Sequence, residues 1–148
     1  MIFFLDAKLI FTHVKDENIV ATIKSLVRKS PPIEFKILSD ANTKYIELIN
    51  VANEISSCFT ETITNYAHWD EQGRLNIKPY QSENELHHCQ YCPVNLCKGK
   101  ELKNMLSRKK FDHVIYVGDG YGDYCPCLHL QRYHNNFSDN YFRLRCIF

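Results

Sequence analysis

The chain has 148 residues, 45% of them hydrophobic and 24% charged, with a formal net charge of +1. That length fits one domain with a real core, and so small a charge makes no bulk electrostatic case for nucleic acid or an anionic membrane. No apolar run approaches the ~20 residues of a membrane-spanning helix. The opening Met-Ile-Phe-Phe-Leu is too short for a signal-peptide core and is broken by Asp6 and Lys8. With no export signal, the seven cysteines are expected to be mostly free thiols in a reducing, cytoplasmic compartment.

Ile19, Val20, Ile23, Leu26 and Val27 recur at helical spacing, and Pro31-Pro32 stops that helix. Residues 34–39 read as a strand ending in the hydroxyl of Ser39, and 40–42 as a strand-to-helix turn. A second helix follows, burying Tyr45, Ile46, Ile49 and Ala52. Residues 58–64 are rich in Thr and alternate like a strand. A turn at 69–73, a short strand at 74–77 and a loop over 81–96 come next. The spacing predicts a helix over 97–106, and the basic cluster Lys98, Lys100, Lys103, Arg108, Lys109 and Lys110 reads mostly as its wet face and exit turn rather than as a sign of phosphate affinity. Residues 129–148 carry aromatics without a clean period and define no element. Trp69 and the nine Tyr and nine Phe residues are spread along the chain, which favours core and turn packing over a stacking platform. Strands alternating with helices predict an α/β domain with a largely parallel sheet.

The chemistry concentrates in residues 112–126. An apolar run over 114–117 reads as a buried strand that enters Gly118-Asp119-Gly120, and a second acid follows at Asp123. Flanking glycines let the backbone turn sharply there. Two acids at such a tip can converge on a hard cation such as Mg²⁺, or remain a solvated polar turn. In an open α/β sheet the ligand space lies beyond the strand ends. Ser39 with Asp40 and Asn42, then Lys98, then Asp119 with Asp123 supply a hydroxyl, an ammonium and paired acids. Together these are parts of a phosphoryl-transfer site.

Residues 37–43 (Ile-Leu-Ser-Asp-Ala-Asn-Thr), 70–75 (Asp-Glu-Gln-Gly-Arg-Leu), 89–99 (Cys-Gln-Tyr-Cys-Pro-Val-Asn-Leu-Cys-Lys-Gly) and 116–126 (Tyr-Val-Gly-Asp-Gly-Tyr-Gly-Asp-Tyr-Cys-Pro) carry a resemblance. The chain resembles the phosphoethanolamine/phosphocholine phosphatase family of the haloacid dehalogenase superfamily. That family includes pyridoxal-phosphate phosphatase-like proteins and plant relatives associated with pyrophosphate or thiamine phosphate. Residues 70–75 and 123–126 lean towards the plant-like branch. The resemblance implies a Rossmann-like parallel sheet and Mg²⁺-dependent hydrolysis of a small phosphorylated metabolite. The implied substrate is phosphoethanolamine or phosphocholine, with pyrophosphate and thiamine phosphate as alternatives. It further implies that Ser39 and Lys98 bind and neutralise the phosphoryl group and that Asp119 and Asp123 hold Mg²⁺. Asp40 and Asn42 would lie at the substrate.

One departure bears on activity. The family's nucleophile stands on an N-terminal strand ending Asp-x-Asp-x-Thr, whereas here Lys8 and Ile10 stand where the second acid and the Thr belong. Asp6 is then a degenerate nucleophile position with the helical cap lost. In the favoured alternative, residues 1–30 are a remnant of the cap and its connecting helix, and the first catalytic strand and most of the cap are missing. On that view residues 31–130 form the core and 131–148 an unassigned tail, and the chain is a truncated phosphatase or a non-catalytic pseudo-phosphatase. A third reading is a small zinc-binding module built from His87, His88, Cys89, Cys92 and Cys97, since Cys-x-x-Cys is a zinc-knuckle spacing. Against it, no second Cys-x-x-Cys is present, Cys125 and Cys127 being one residue apart. A loop of free thiols packed near the site is the preferred reading.

Overall fold

The computed structural model describes residues 2–5, 17–30, 33–82, 87–109, 111, 114–118, 120–135 and 144–147. In chain order these form β1 (Ile2–Leu5), α1 (Glu17–Val27), β2 (Glu34–Asn42), α2 (Thr43–Ala52), β3 (Phe59–Trp69) and β4 (Leu75–Lys78). Next come α3 (Lys98–Arg108), β5 (Val114–Val117), α4 (Tyr124–Asn135) and β6 (Leu144–Ile147). A single six-stranded sheet runs β4-β3-β2-β1-β5-β6. Every neighbouring pair is parallel except β3 with β4, which closes antiparallel. This is the Rossmann-like architecture expected of a haloacid dehalogenase fold.

Strands buried on both faces explain the continuous apolar runs. Phe35 and Ile37 of β2 point to the layer of α1 and α2, where Phe35 packs with Ile23, Ile49 and Ile55 and Ile37 with Ile46. Leu38 points the other way, into a cluster with Leu102, Met105 and Leu106 of α3, Val114 and Tyr116 of β5, and Leu130 of α4. All three β2 side chains are fully buried, and each such burial stabilises by about 1.5–3 kcal/mol. Helix α1 presents Ile19, Val20, Ile23, Leu26 and Val27 to the first cluster, the stripe that the sequence spacing predicts.

The chain moves outward from β1 to β4 on one side of the sheet and returns to β5 on the other side of β1. That reversal places a topological switch point at β1 and β5, and ligands of such sheets bind beyond the carboxyl ends of the strands there. The first-strand slot is held by Ile2–Leu5, in register with Glu34 and Val114 at Ile2. No Asp-x-Asp-x-Thr follows it in the sequence. Asp6 lies outside the described residues. Among the described residues a single helix, α1, separates β1 from β2, and β1 and β6 are strands of the same sheet as residues 31–130.

The terminal stretch without an expected element supplies α4 and β6. Pro126 sits in the first turn of α4, where the missing N–H has no intrahelical partner to lose. Strand β2 runs on through Asn42 instead of turning at Asp40, because Asn42 still pairs with Asn65 of β3. Among the described residues no helix is long and apolar enough to cross a membrane.

Candidate active site

Helix α3 begins at Lys98 with its N-terminus at the carboxyl edge of the sheet, and the turn after β5 ends at Asp123. The two side chains meet there: Lys98 Nζ donates to Asp123 Oδ1 at 2.9 Å, with both residues buried. Tyr116, buried on β5, donates its hydroxyl to the same oxygen. The Gly120 N–H donates to Asp123 Oδ2 at 3.0 Å. Two buried charges cost several kcal/mol each to desolvate, so the carboxylate is held by an ammonium, a phenol and an amide together. Gly118 makes this possible. A Cβ built there would lie 2.4 Å from Asp123 Cγ, closer than any side chain tolerates.

Ser39 stands on β2 at the same edge, two residues beyond the last β1–β2 pair, Leu5 with Ile37. It is fully buried, and its Oγ accepts the Ala41 N–H at 3.1 Å. Asn42 is committed to local structure: Oδ1 accepts from Lys44 N and Tyr45 N, both at 3.1 Å, as the N-cap of α2. Asp40 is exposed at the rim. The structure thus joins Lys98 to Asp123, places Ser39 and Asp40 at the same edge and gives Asn42 a capping role. Asp119 and Asp6 lie outside the described residues.

Three participants went unread in the sequence. Tyr116 looked like one more apolar strand residue. Asn65 is buried on β3, where its Nδ2 donates to the carbonyls of Asp40 and Ala41, both at 2.7 Å. Its Oδ1 accepts from Tyr80 N at 2.9 Å and from Asn95 Nδ2 at 2.7 Å, so one amide ties the rim after Ser39 to the loop leading into α3. Only its place two residues before an Ala in a Thr-rich strand marked it, and that is no signal.

The third is Cys125. Its sulfur lies 3.5 Å from Cys89 Sγ and 3.9 Å from Cys97 Sγ, and Cys92 completes a group of four sulfurs all within 4.8 Å. His87 is turned away, its Nε2 on the Pro93 carbonyl at 2.8 Å, and His88 is exposed. The spacing objection to Cys125 therefore fails: its partners come from a loop 28 to 36 residues earlier in the chain. Burial pushes the Cys92 thiol up to about 12, and raises Cys125 as well. Cys58, Cys89, Cys92, Cys97 and Cys125 are free thiols, while Cys127 is disulfide-bonded.

The Rossmann-like sheet, with a buried lysine–aspartate pair at its switch point, is consistent with a domain of the haloacid dehalogenase type. The profile of the family described as Putative Phosphatase matches residues 7–145, and the chain belongs to that family. It is 40% identical to the Thiamine phosphate phosphatase-like protein of Arabidopsis thaliana, over 78% of this chain and 49% of that protein. To Inorganic pyrophosphatase 2 of the same plant it is 44% identical, over 66% of this chain and 37% of that protein. To the Phosphoethanolamine/phosphocholine phosphatase of Gallus gallus it is 36% identical, again over 66% and 37%. The chain thus spans about half, or less, of the length of these curated relatives. No solved structure matches it.

Proposed function

We propose that this chain is a Mg²⁺-dependent phosphatase domain for small phosphomonoesters of the phosphoethanolamine or phosphocholine kind, with weak turnover by the 148 residues alone. The observation that carries the reading is the buried Lys98–Asp123 pair at the switch point of the sheet. Asp123 fixes the ammonium in position, so that a phosphate entering at the strand tips meets a preorganised positive charge. Ser39, its oxygen already accepting from Ala41, has a hydroxyl proton to give to a phosphate oxygen. Asp40 at the rim would face the leaving group and favour a cationic amine over a neutral one.

Asp123 fits a metal role in one respect. Each carboxylate oxygen has two lone-pair directions, and its Oδ2 accepts the Gly120 N–H, which leaves one direction for a cation or its water. Asp119 and Asp123 would hold Mg²⁺, which when bound shields phosphoryl charge. Thiamine phosphate and pyrophosphate are the competing substrates, on the names of the relatives in Arabidopsis thaliana. Turnover is expected to be weak because Lys8 and Ile10 replace the acid and Thr of the nucleophile motif. A general acid alone is worth ~10²–10⁴ in rate, and loss of the nucleophile should cost far more.

The test is phosphate release from a panel of phosphomonoesters and pyrophosphate, with and without Mg²⁺, beside calorimetric binding of inorganic phosphate. Mg²⁺-dependent phosphate binding that Asp119→Ala abolishes, with slow release from the amine-bearing esters, supports the reading. Binding indifferent to both Mg²⁺ and Asp119 overturns it. Selectivity between phosphoethanolamine and a neutral phosphomonoester that survives Asp40→Asn removes Asp40 from the site.

A further inference from the structure

The four sulfurs of Cys89, Cys92, Cys97 and Cys125 have the dimensions of a metal site. A Zn–S bond of about 2.3 Å implies a tetrahedral S···S edge of about 3.8 Å. The Cys89–Cys125 and Cys97–Cys125 separations are 3.5 and 3.9 Å. A disulfide needs sulfurs about 2.05 Å apart, so these contacts are unbonded. Thiols gathered only by packing have no reason to converge four at a time.

One of the sulfurs is held in place by the backbone. Cys97 is the N-cap of α3, and its sulfur accepts the Lys100 N–H at 3.4 Å, at the positive end of an eleven-residue helix. Such a donor orients the sulfur and would support it once it is metal-bound. The group is also shielded, with Cys97 and Cys125 buried and Cys89 and Cys92 half-buried.

Gly99 supports the same arrangement. A Cβ built at this position would lie 2.4 Å from Cys125 Sγ and 2.4 Å from His129 Cδ2. Any side chain there would push Cys125 out of the group, so the close approach of α3 to α4 serves the meeting of sulfurs.

We propose that Cys89, Cys92, Cys97 and Cys125 bind one structural Zn²⁺ that clips the loop before α3 to the first turn of α4. Binding converts four thiols and Zn²⁺ into a tetrathiolate of net charge −2 and releases four protons. All four positions are filled by sulfur, which leaves no open coordination site and makes the metal structural. Its place explains its use. Cys97 adjoins Lys98, and Cys125 lies two residues after Asp123, so the clip fixes the two segments whose side chains form the buried ion pair. The zinc site does not depend on phosphatase activity, since it would order the fold whether or not the chain turns over substrate.

The experiment is elemental analysis of the tag-free chain, purified under reducing conditions without chelator, with cobalt substitution of the same protein. The expected result is one zinc per chain and, with Co²⁺, the intense visible bands of a tetrahedral thiolate complex. Cys92→Ser and Cys125→Ser should each weaken zinc retention at least tenfold against a chromophoric chelator. Cys58→Ser, whose thiol lies in the α1–α2 layer, should leave it unchanged. If Cys125→Ser does not fold, the metal content and cobalt spectrum of the unaltered chain decide. Iron in place of zinc overturns the proposal. So does a Cys89–Cys125 disulfide by mass, or rapid reaction of all four thiols with a thiol reagent in folded, metal-free protein.

Discussion

Lys98 and Asp123 meet at 2.9 Å with side chains 5% and 0% exposed, while Arg74 and Asp70 meet at 2.8 Å with side chains 74% and 19% exposed. Both pairs fall in segments that carry the family resemblance, and by distance alone they are equivalent. Their surroundings separate them. Asp70 serves the β3–β4 hairpin, accepting from Gln72 N, Arg74 N, Arg74 Nε and Asn76 Nδ2 at 2.8 to 3.1 Å, so its residues are accounted for by a turn. Asp123 accepts in a dry site between α3 and β5, where each unpaired charge would be costly. A segment that marks kinship is therefore not for that reason a segment that carries chemistry.

The sharpest way to break this comparison is Lys98→Ala. It leaves the Asp123 carboxylate buried beside Tyr116 without its cation, and removing one partner of a buried pair costs about 3–5 kcal/mol. Urea denaturation should show that loss, while Lys98→Met with Asp123→Leu should recover much of the stability with none of the phosphate binding. A loss in the double variant equal to the sum of the losses in Lys98→Met and Asp123→Leu alone would mean that the pair is not energetically coupled. Gly118→Ala follows in size. Its Cβ would fall 2.4 Å from Asp123 Cγ, and overpacking of this kind costs about 1–3 kcal/mol. Phosphate affinity should fall with stability, because the displaced carboxylate no longer fixes Lys98.

Asn42→Ala sharpens the same division from the other side of the site. If Asn42 is a cap and not a substrate ligand, the change should cost about 0.5–2 kcal/mol of stability and leave phosphate affinity of the folded protein unaltered. A calorimetric titration below the melting transition separates the two roles.

The sequence made the sheet legible where strands were buried on both faces. Phe35, Ile37 and Leu38 form a continuous apolar run because each face of β2 has a helical layer against it. Residues 114–117 read as a strand for the same reason. The end of the chain was opaque because α4 begins Tyr-Cys-Pro-Cys, where a proline in the first turn and two cysteines hide the helical period. In the site, Lys98 and Asp123 were legible as residue types in order, but nothing in their spacing showed that they touch. The sulfur group was half legible: Cys89, Cys92 and Cys97 lie close in the chain, and Cys125 joins them only through the packing of α4 on α3. Contacts made across layers leave no local period to read.

The smallest effect expected comes from Asp70, and its sign tests the exposed half of the comparison. Hydrogen bonds from the Arg74 backbone, then from the Arg74 and Asn76 side chains and the Gln72 backbone, hold the Asp70 carboxyl below its ordinary range. A carboxyl with a depressed folded pKa binds protons more readily when unfolded. Its contribution to stability is therefore present above the unfolded value near pH 4 and is lost as pH falls through the folded value. Asp70→Asn should remove that acid-labile part, so that the melting temperatures of variant and parent differ slightly at pH 7 and converge as pH falls below the ordinary carboxylate range. Because the pair is solvent-exposed and screened, 0.5 M salt should shrink the difference at pH 7. A difference that grows towards low pH, or that ignores salt, would show that the hairpin is held by something other than this carboxylate.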